Sequence, residues 1–270
     1  VTGGKLEAGM IYSISKAMEK VVLPMGNKTA EQAVKGDLAM ADGTFISKDD
    51  IEELTDEQKA NVRGVVFWTE KNDKVYTYSS LAYDEIMITD FPTCTHGLIV
   101  ALNNVATGCK WQDPDASVVA WQTNTFSDAN KSDYKQIAAI NGETDNLKYI
   151  LGYQNTKLLK AYNKYCSETT GMSGYIVKPV AELATWEATP GNEAPANTTG
   201  WFIPSAKELH MLCYKDVLYN RPGTTTYKAI NPLIKALGGT ELGETELGGA
   251  EMGEKKNYWS STERRDDTGF

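Results

Sequence analysis

Histidine is scarce in this 270-residue chain, with only His96 and His210, and the four cysteines contain no CxxC pair. That excludes a His-rich metal site, and the cysteine spacing matches no zinc pattern. Concentrated positive charge is also missing. The net charge is -9, the densest basic pair is Lys255-Lys256, and Arg264-Arg265 is followed at once by Asp266-Asp267. A nucleic-acid partner is therefore not expected, because phosphate binding needs clustered Lys and Arg. No apolar run reaches the length of a membrane span. Val1-Thr2-Gly3-Gly4 shows neither a charged start nor an apolar stretch, so no signal peptide is read. The chain does not begin with Met and reads as a processed or trimmed piece of a longer protein. The missing signal thus does not argue for the cytoplasm. No GxSxG, P-loop, HExxH or dinucleotide fingerprint occurs, and no cofactor is expected.

What is present is globular. Hydrophobic residues make up 41% and charged residues 23%, which separates the chain from disordered sequences. The length suits one large domain or two small ones. Residues 1–23 differ from the rest: Leu6, Met10, Tyr12 and Ile14 alternate with polar or small residues, as in a half-buried strand. Pro24-Met25-Gly26-Asn27 then breaks the pattern. We read residues 1–23 as the end of a preceding β domain, or an arm, plus a linker, and 24–270 as the main domain.

Within 24–270, Gly36–Ile46 reads as a hairpin turning at Asp42-Gly43. A helix near 48–60 is capped by Ser47, with Asp49 and Asp50 at its positive end. Gly64–Trp68 is a continuous apolar run, hence a central strand. Val75–Tyr78, Glu85–Thr89 and Gly97–Leu102 are further strand candidates. Helices are predicted near 155–167 and 178–187, with a Pro/Asn/Gly/Thr-rich loop over 188–199. Gly200–Ile203 reads as a short buried strand, Pro204 as its stop, and Ser205 with Glu208 as a capping box opening the next helix. Asn231-Pro232 reads as another helix start, ended by Gly238. Three five-residue copies at Thr240–Gly243, Thr245–Gly248 and Ala250–Gly253 form an acidic surface excursion, too few for a solenoid. Cys166 and Cys213 fall on apolar helix sides, which favours buried free thiols over disulfides.

Gly200-Trp201-Phe202-Ile203-Pro204-Ser205-Ala206-Lys207-Glu208-Leu209, followed by Tyr258-Trp259-Ser260-Ser261-Thr262-Glu263, resembles a motif pair of C-type-lectin-like domains related to the DUF1566 and Lcl C-terminal families. Asp42-Gly43-Thr44, Leu54–Asn61 leading into Gly64–Thr69, and His96–Leu102 fit the version found in Bacteroidales surface proteins. Lys5–Lys16 resembles the last strands of a fimbrillin-like domain. The resemblance implies an α+β fold with short antiparallel sheets, flanking helices and long loops. It also implies a pilus-tip or accessory fimbrial subunit outside the cell, with other pilus subunits as partners and a host glycan or matrix protein as ligand. Attachment to the outer membrane would run through an upstream lipid anchor. The lectin calcium and sugar motifs, Glu-Pro-Asn and Trp-Asn-Asp, are absent, and the family's strands after the second motif are not seen before Phe270.

Candidate ligand residues are few. Trp111 beside Asp113 and Asp115 suits a sugar face with hydroxyl acceptors. The alternative, favoured by the usual burial of large aromatics, is that Trp111 covers the core edge. Glu263 and Arg264 follow the second motif where lectin-like folds place a ligand loop, an expectation from fold analogy. Trp121, Trp186, Trp201 and Trp259 are expected in the core. His96 has no nucleophile partner and reads as structural. The repeat glutamates match no calcium loop. A formylglycine-generating type of enzyme would need a late cysteine pair, and only Cys213 lies beyond residue 200. A non-enzymatic adhesion module is the leading reading, with a purely structural pilus subunit as the alternative.

Overall fold

The computed structural model describes residues 23–75, 78–137, 148–214, 226–243 and 258–263. The expected strands of residues 1–22, the central part of the Val75–Tyr78 candidate and most of the acidic repeat lie outside them. The fold is mixed, with a small antiparallel sheet and helices packed around it.

Four strands, β1 (Leu38–Met40), β2 (Phe45–Ile46), β3 (Val62–Thr69) and β4 (Gly97–Ala101), form the sheet in the order β2-β1-β3-β4. The β1–β2 hairpin turns where expected. Gly43 has φ +84°, and a Cβ there would lie 2.3 Å from the Ala196 carbonyl oxygen, so glycine is needed on both counts. Asp42 holds the turn by accepting the amides of Thr44 (3.0 Å) and Met25 (2.7 Å). These backbone donors hold its carboxyl below the ordinary value, against the opposing effect of burial.

β3 alternates its side chains between two cores. Val65 and Phe67 join Leu38, Met40 and Leu98 on the inner face, against Met211, Leu212, Tyr227, Ile230 and Ile234 of two helices. Val66 faces the other way with Ala39 and Phe45. A third cluster is helical and aromatic: Trp121, Phe126 and Tyr134 pack on Leu158, Leu159 and Tyr162.

Several sequence readings change. The helix expected at 48–60 is a 3-10 segment (Lys48–Glu53) and a separate α1 (Asp56–Ala60). Leu54 between them is extended and buried, and Thr55 opens α1 with a full capping box to Gln58. The Glu85–Thr89 candidate is helix α2 (Glu85–Asp90), because Asp84 caps it by accepting the Met87 amide at 2.8 Å. The cap decides where two β-branched isoleucines had pointed to a strand. Gly200–Ile203 and Tyr258–Thr262 form no ladder, although Glu263 makes one bridging bond, from its amide to the Ile137 carbonyl (3.0 Å).

The remaining helices are α3 (Val118–Asn124), α4 (Gly152–Glu168), α5 (Lys178–Glu187), α6 (Ala206–Tyr214) and α7 (Thr226–Ala236). α7 begins before Asn231 and carries Pro232 inside it. Asn231 is not a cap: its amide group bonds both the N–H (2.9 Å) and the C=O (2.6 Å) of Leu242. Gly238 ends α7 as expected, at φ +74°. Its N–H bonds the Lys235 carbonyl (3.0 Å) and that of Gly239 bonds Ile234 (2.9 Å), the paired bonds of a Schellman stop.

Two buried carboxylates join three helix starts. Asp84 caps α2 and also accepts the Gln154 amide of α4 at 3.0 Å. Glu208 accepts the Ser205 amide at 2.5 Å while Ser205 Oγ accepts the Glu208 amide at 3.4 Å, which is the expected capping box of α6. Positive helix ends favour both anions, yet burial dominates. It pushes the Asp84 carboxyl up to about 6 and that of Glu208 up to about 7, each raised further by a nearby aspartate, Asp90 and Asp84 respectively.

Candidate functional site

Of the five residues singled out for a ligand, four are described, and the structure brings none of these four into a common cleft. Trp111 is 4% exposed, within the helical core, so it does not present a sugar platform; it is the core-edge aromatic of the alternative reading. Asp113 and Asp115 are exposed. Asp113 pairs with Lys110 at 2.8 Å, which holds its carboxyl below the ordinary value. Glu263 is 2% exposed and accepts the Val119 amide at 2.6 Å, at the start of α3. The carboxylate therefore satisfies a helix N-terminus and does not stand in a ligand loop. Arg264 lies outside the described residues.

Of the four tryptophans expected in the core, three occupy a different place. Trp121 is buried, but Trp186 and Trp201 are half-buried and Trp259 is 37% exposed. All three of these line one open groove of about 340 Å³. Val66, Ile99 and Phe45 of the sheet's outer face line it too, as do all five residues of β4. Gly200, at φ +78°, bends the chain just before Trp201 and takes it out of any strand.

The rings are held. Trp201 Nε1 donates to the Asn192 carbonyl at 2.8 Å, and Trp259 Nε1 donates to the Cys109 carbonyl at 2.7 Å. Trp186 meets Trp201 edge-on, 6.0 Å between ring centres, and Trp259 leans on Trp111 at 5.6 Å. Polar residues line the same groove: Asn103, Asn104, Asn197, Thr198 and Thr199, with His96. Among the described lining residues there is no Lys, Arg or Asp, and the single carboxylate is the buried cap Glu208.

No activated nucleophile is apparent in the groove. Burial pushes the Cys94 thiol up, and burial together with Glu182 does the same for Cys109. Both therefore stay protonated near neutral pH, when the thiolate is the reactive form. Cys213 is buried and pushed up to about 12. Among the described residues no group of three or more His, Cys, Asp and Glu could hold a metal ion. No described helix is long and apolar enough to cross a membrane.

Sequence reasoning missed the groove because it treated aromatics in apolar motifs as core. The available signals were Gly200 before Trp201 and the loop composition of 188–199.

The fold is thus an α+β arrangement with an aromatic groove beside its antiparallel sheet. No protein-family model matches the chain. It is 27% identical over 241 residues to a protein named putative fimbrium tip subunit Fim1C from Bacteroides ovatus, covering 85% of this chain. The chain spans 38% of that relative's length. It shares the fold of a crystal structure of a fimbrial protein from Bacteroides ovatus, with a TM-score of 0.58 at 22% identity over 86% of this chain and 42% of the other.

Proposed function

We propose that the chain is part of a fimbrial subunit, at the tip or as an accessory, and serves as a non-enzymatic adhesion module on the cell surface. The observation that carries this is the likeness running along 85% of the chain to a protein named as a fimbrium tip subunit. The groove fits a binding role. Its thiols are held protonated and its one described carboxylate is engaged as a helix cap, while two anchored indoles, with Trp186 edge-on to one of them, give it a preorganised aromatic surface. Its ligand is a glycan or a protein, and its neighbours are other pilus subunits. A lectin-like domain, with a lipid anchor elsewhere in the longer protein, belongs to the same reading and rests on the resemblance of Gly200–Leu209 and Tyr258–Glu263.

The test is to express the full-length protein with an epitope tag in a fimbriated Bacteroides host and shear the fimbriae from the cells. The tag is expected in the sheared filaments, at their ends by immunogold labelling. Recovery of the tag only in the cytosol would sink the reading. Filament incorporation with no binding to a glycan and matrix-protein panel would favour a structural subunit instead.

A further inference from the structure

We infer that the groove between Trp186, Trp201 and Trp259 binds an uncharged saccharide without calcium. This rests on the adhesion reading and names the ligand class for it. The first support is the form of the aromatic surface. Trp201 and Trp259 each spend their only polar atom on a backbone carbonyl, at 2.8 and 2.7 Å, so what remains for a ligand is an apolar ring surface in a set orientation. Such a surface suits the C–H face of a pyranose, which is apolar on its face and polar at its edge. Holding the rings beforehand also reduces the ordering cost of binding.

The second support is charge. The chain carries 63 acidic and basic residues, 36 of one sign and 27 of the other, yet the described lining contains no Lys, Arg or Asp. Its one Glu is consumed by the α6 cap. Among the described lining residues an acidic sugar would find no Lys or Arg, only the imidazole of His96, and a calcium ion would find no set of carboxylates. What the groove does offer is amides and hydroxyls. Asn104 and Asn197 bring amide donors and acceptors, and Thr199, whose hydroxyl donates to the Gly200 carbonyl at 3.0 Å, brings an acceptor, the kind of partners a sugar hydroxyl takes. A site built to hydrogen-bond a ligand hydroxyl discriminates against a ligand that lacks it.

The experiment titrates the 270-residue chain with hexose- and N-acetylhexosamine-terminated neutral oligosaccharides, followed by tryptophan fluorescence and calorimetry. Sialylated and sulfated counterparts form a second arm, and an extended apolar peptide able to pair with β4, the edge strand of the described sheet, forms a third. At least one neutral oligosaccharide is expected to bind, at least tenfold tighter than its acidic counterpart and equally well in EDTA. Trp259→Ala is expected to weaken it tenfold or more, and Asn104→Ala severalfold, with melting curves checking that each variant is folded. If Trp259→Ala does not fold, Asn104→Ala alone decides. Preference for acidic sugars, loss in EDTA, binding of the peptide alone, no saccharide binding, or unchanged affinity in the folded variants would each overturn the inference. Fimbrial incorporation of Trp259→Ala is read in parallel. If incorporation persists while saccharide binding fails, the ligand class is wrong and the fimbrial reading stands.

Discussion

Replacing Glu208 by Gln should change how stability depends on pH more than it changes the fold. Glu208 is 2% exposed and its carboxyl is pushed from 4.5 up to about 7, first by burial and then by Asp84. A raised carboxyl binds more protons in the folded chain than in the unfolded one. Stability therefore falls as pH rises from about 4.5 through 7, and the penalty is fully present above that window. The shift corresponds to on the order of 3 kcal/mol at pH 8. Gln keeps an oxygen to accept the Ser205 amide, bonded at 2.5 Å in the native chain, and carries no charge to desolvate. The variant should thus match the native protein near pH 5 and exceed it at pH 8. At roughly 2–4 °C per kcal/mol for a domain of this size, the gap in melting temperature should reach about 6–12 °C. Asp84, raised to about 6, stays in place and leaves the variant some decline at lower pH. Calorimetry from pH 5 to 8 on both proteins, at fixed ionic strength, measures the difference directly. A gap that is constant or shrinks with rising pH would refute the assignment of a buried, costly Glu208.

Gly152→Ala should lose the fold or cost several kcal/mol in urea unfolding, because a Cβ there would sit 2.6 Å from the Phe202 ring and against the Glu208 carboxylate. A variant that melts within a degree of the native chain would contradict the packing. Asn231→Ala should cost about 2–4 kcal/mol, since it strips the partners from both the N–H and the C=O of Leu242. The expected sign is a lower urea midpoint with an unchanged slope. Among the thiols, Cys94 and Cys109 should react with a maleimide in the native protein, while Cys166 and Cys213 should react only after unfolding. Equal labelling of all four under native conditions would show that the buried pair is misplaced.

Local chemistry was the legible part of the chain. The Asp42-Gly43 turn, the Ser205–Glu208 box, the Gly238 stop and the apolar strand Gly64–Trp68 all depend on neighbours in sequence, and each stands where it was read. Helices α4 and α5 followed from their 3.6-residue apolar spacing. Where two local signals competed, the weaker was misread. Ile86 and Ile88 suggested a strand, but the Asp84 cap and packing against α4 made a turn and a half of helix. Asn231-Pro232 looked like a start, but the Asn side chain was engaged eleven residues away.

The site itself was not legible, for a physical reason. The fate of a tryptophan depends on what distant chain covers its ring. Trp111, expected as a possible platform, is closed over by the helical core, whereas Trp259, expected inside, leans on Trp111 from the solvent side. Glu263, expected in a ligand loop, accepts an amide 144 residues away. The sequence alone determined the turns, caps and helix periods, and the want of concentrated positive charge, because these follow from composition and from residues a few positions apart. Only the tertiary structure decided which aromatics and carboxylates are buried and which meet in the groove, because burial is set by contacts between segments that no local pattern pairs.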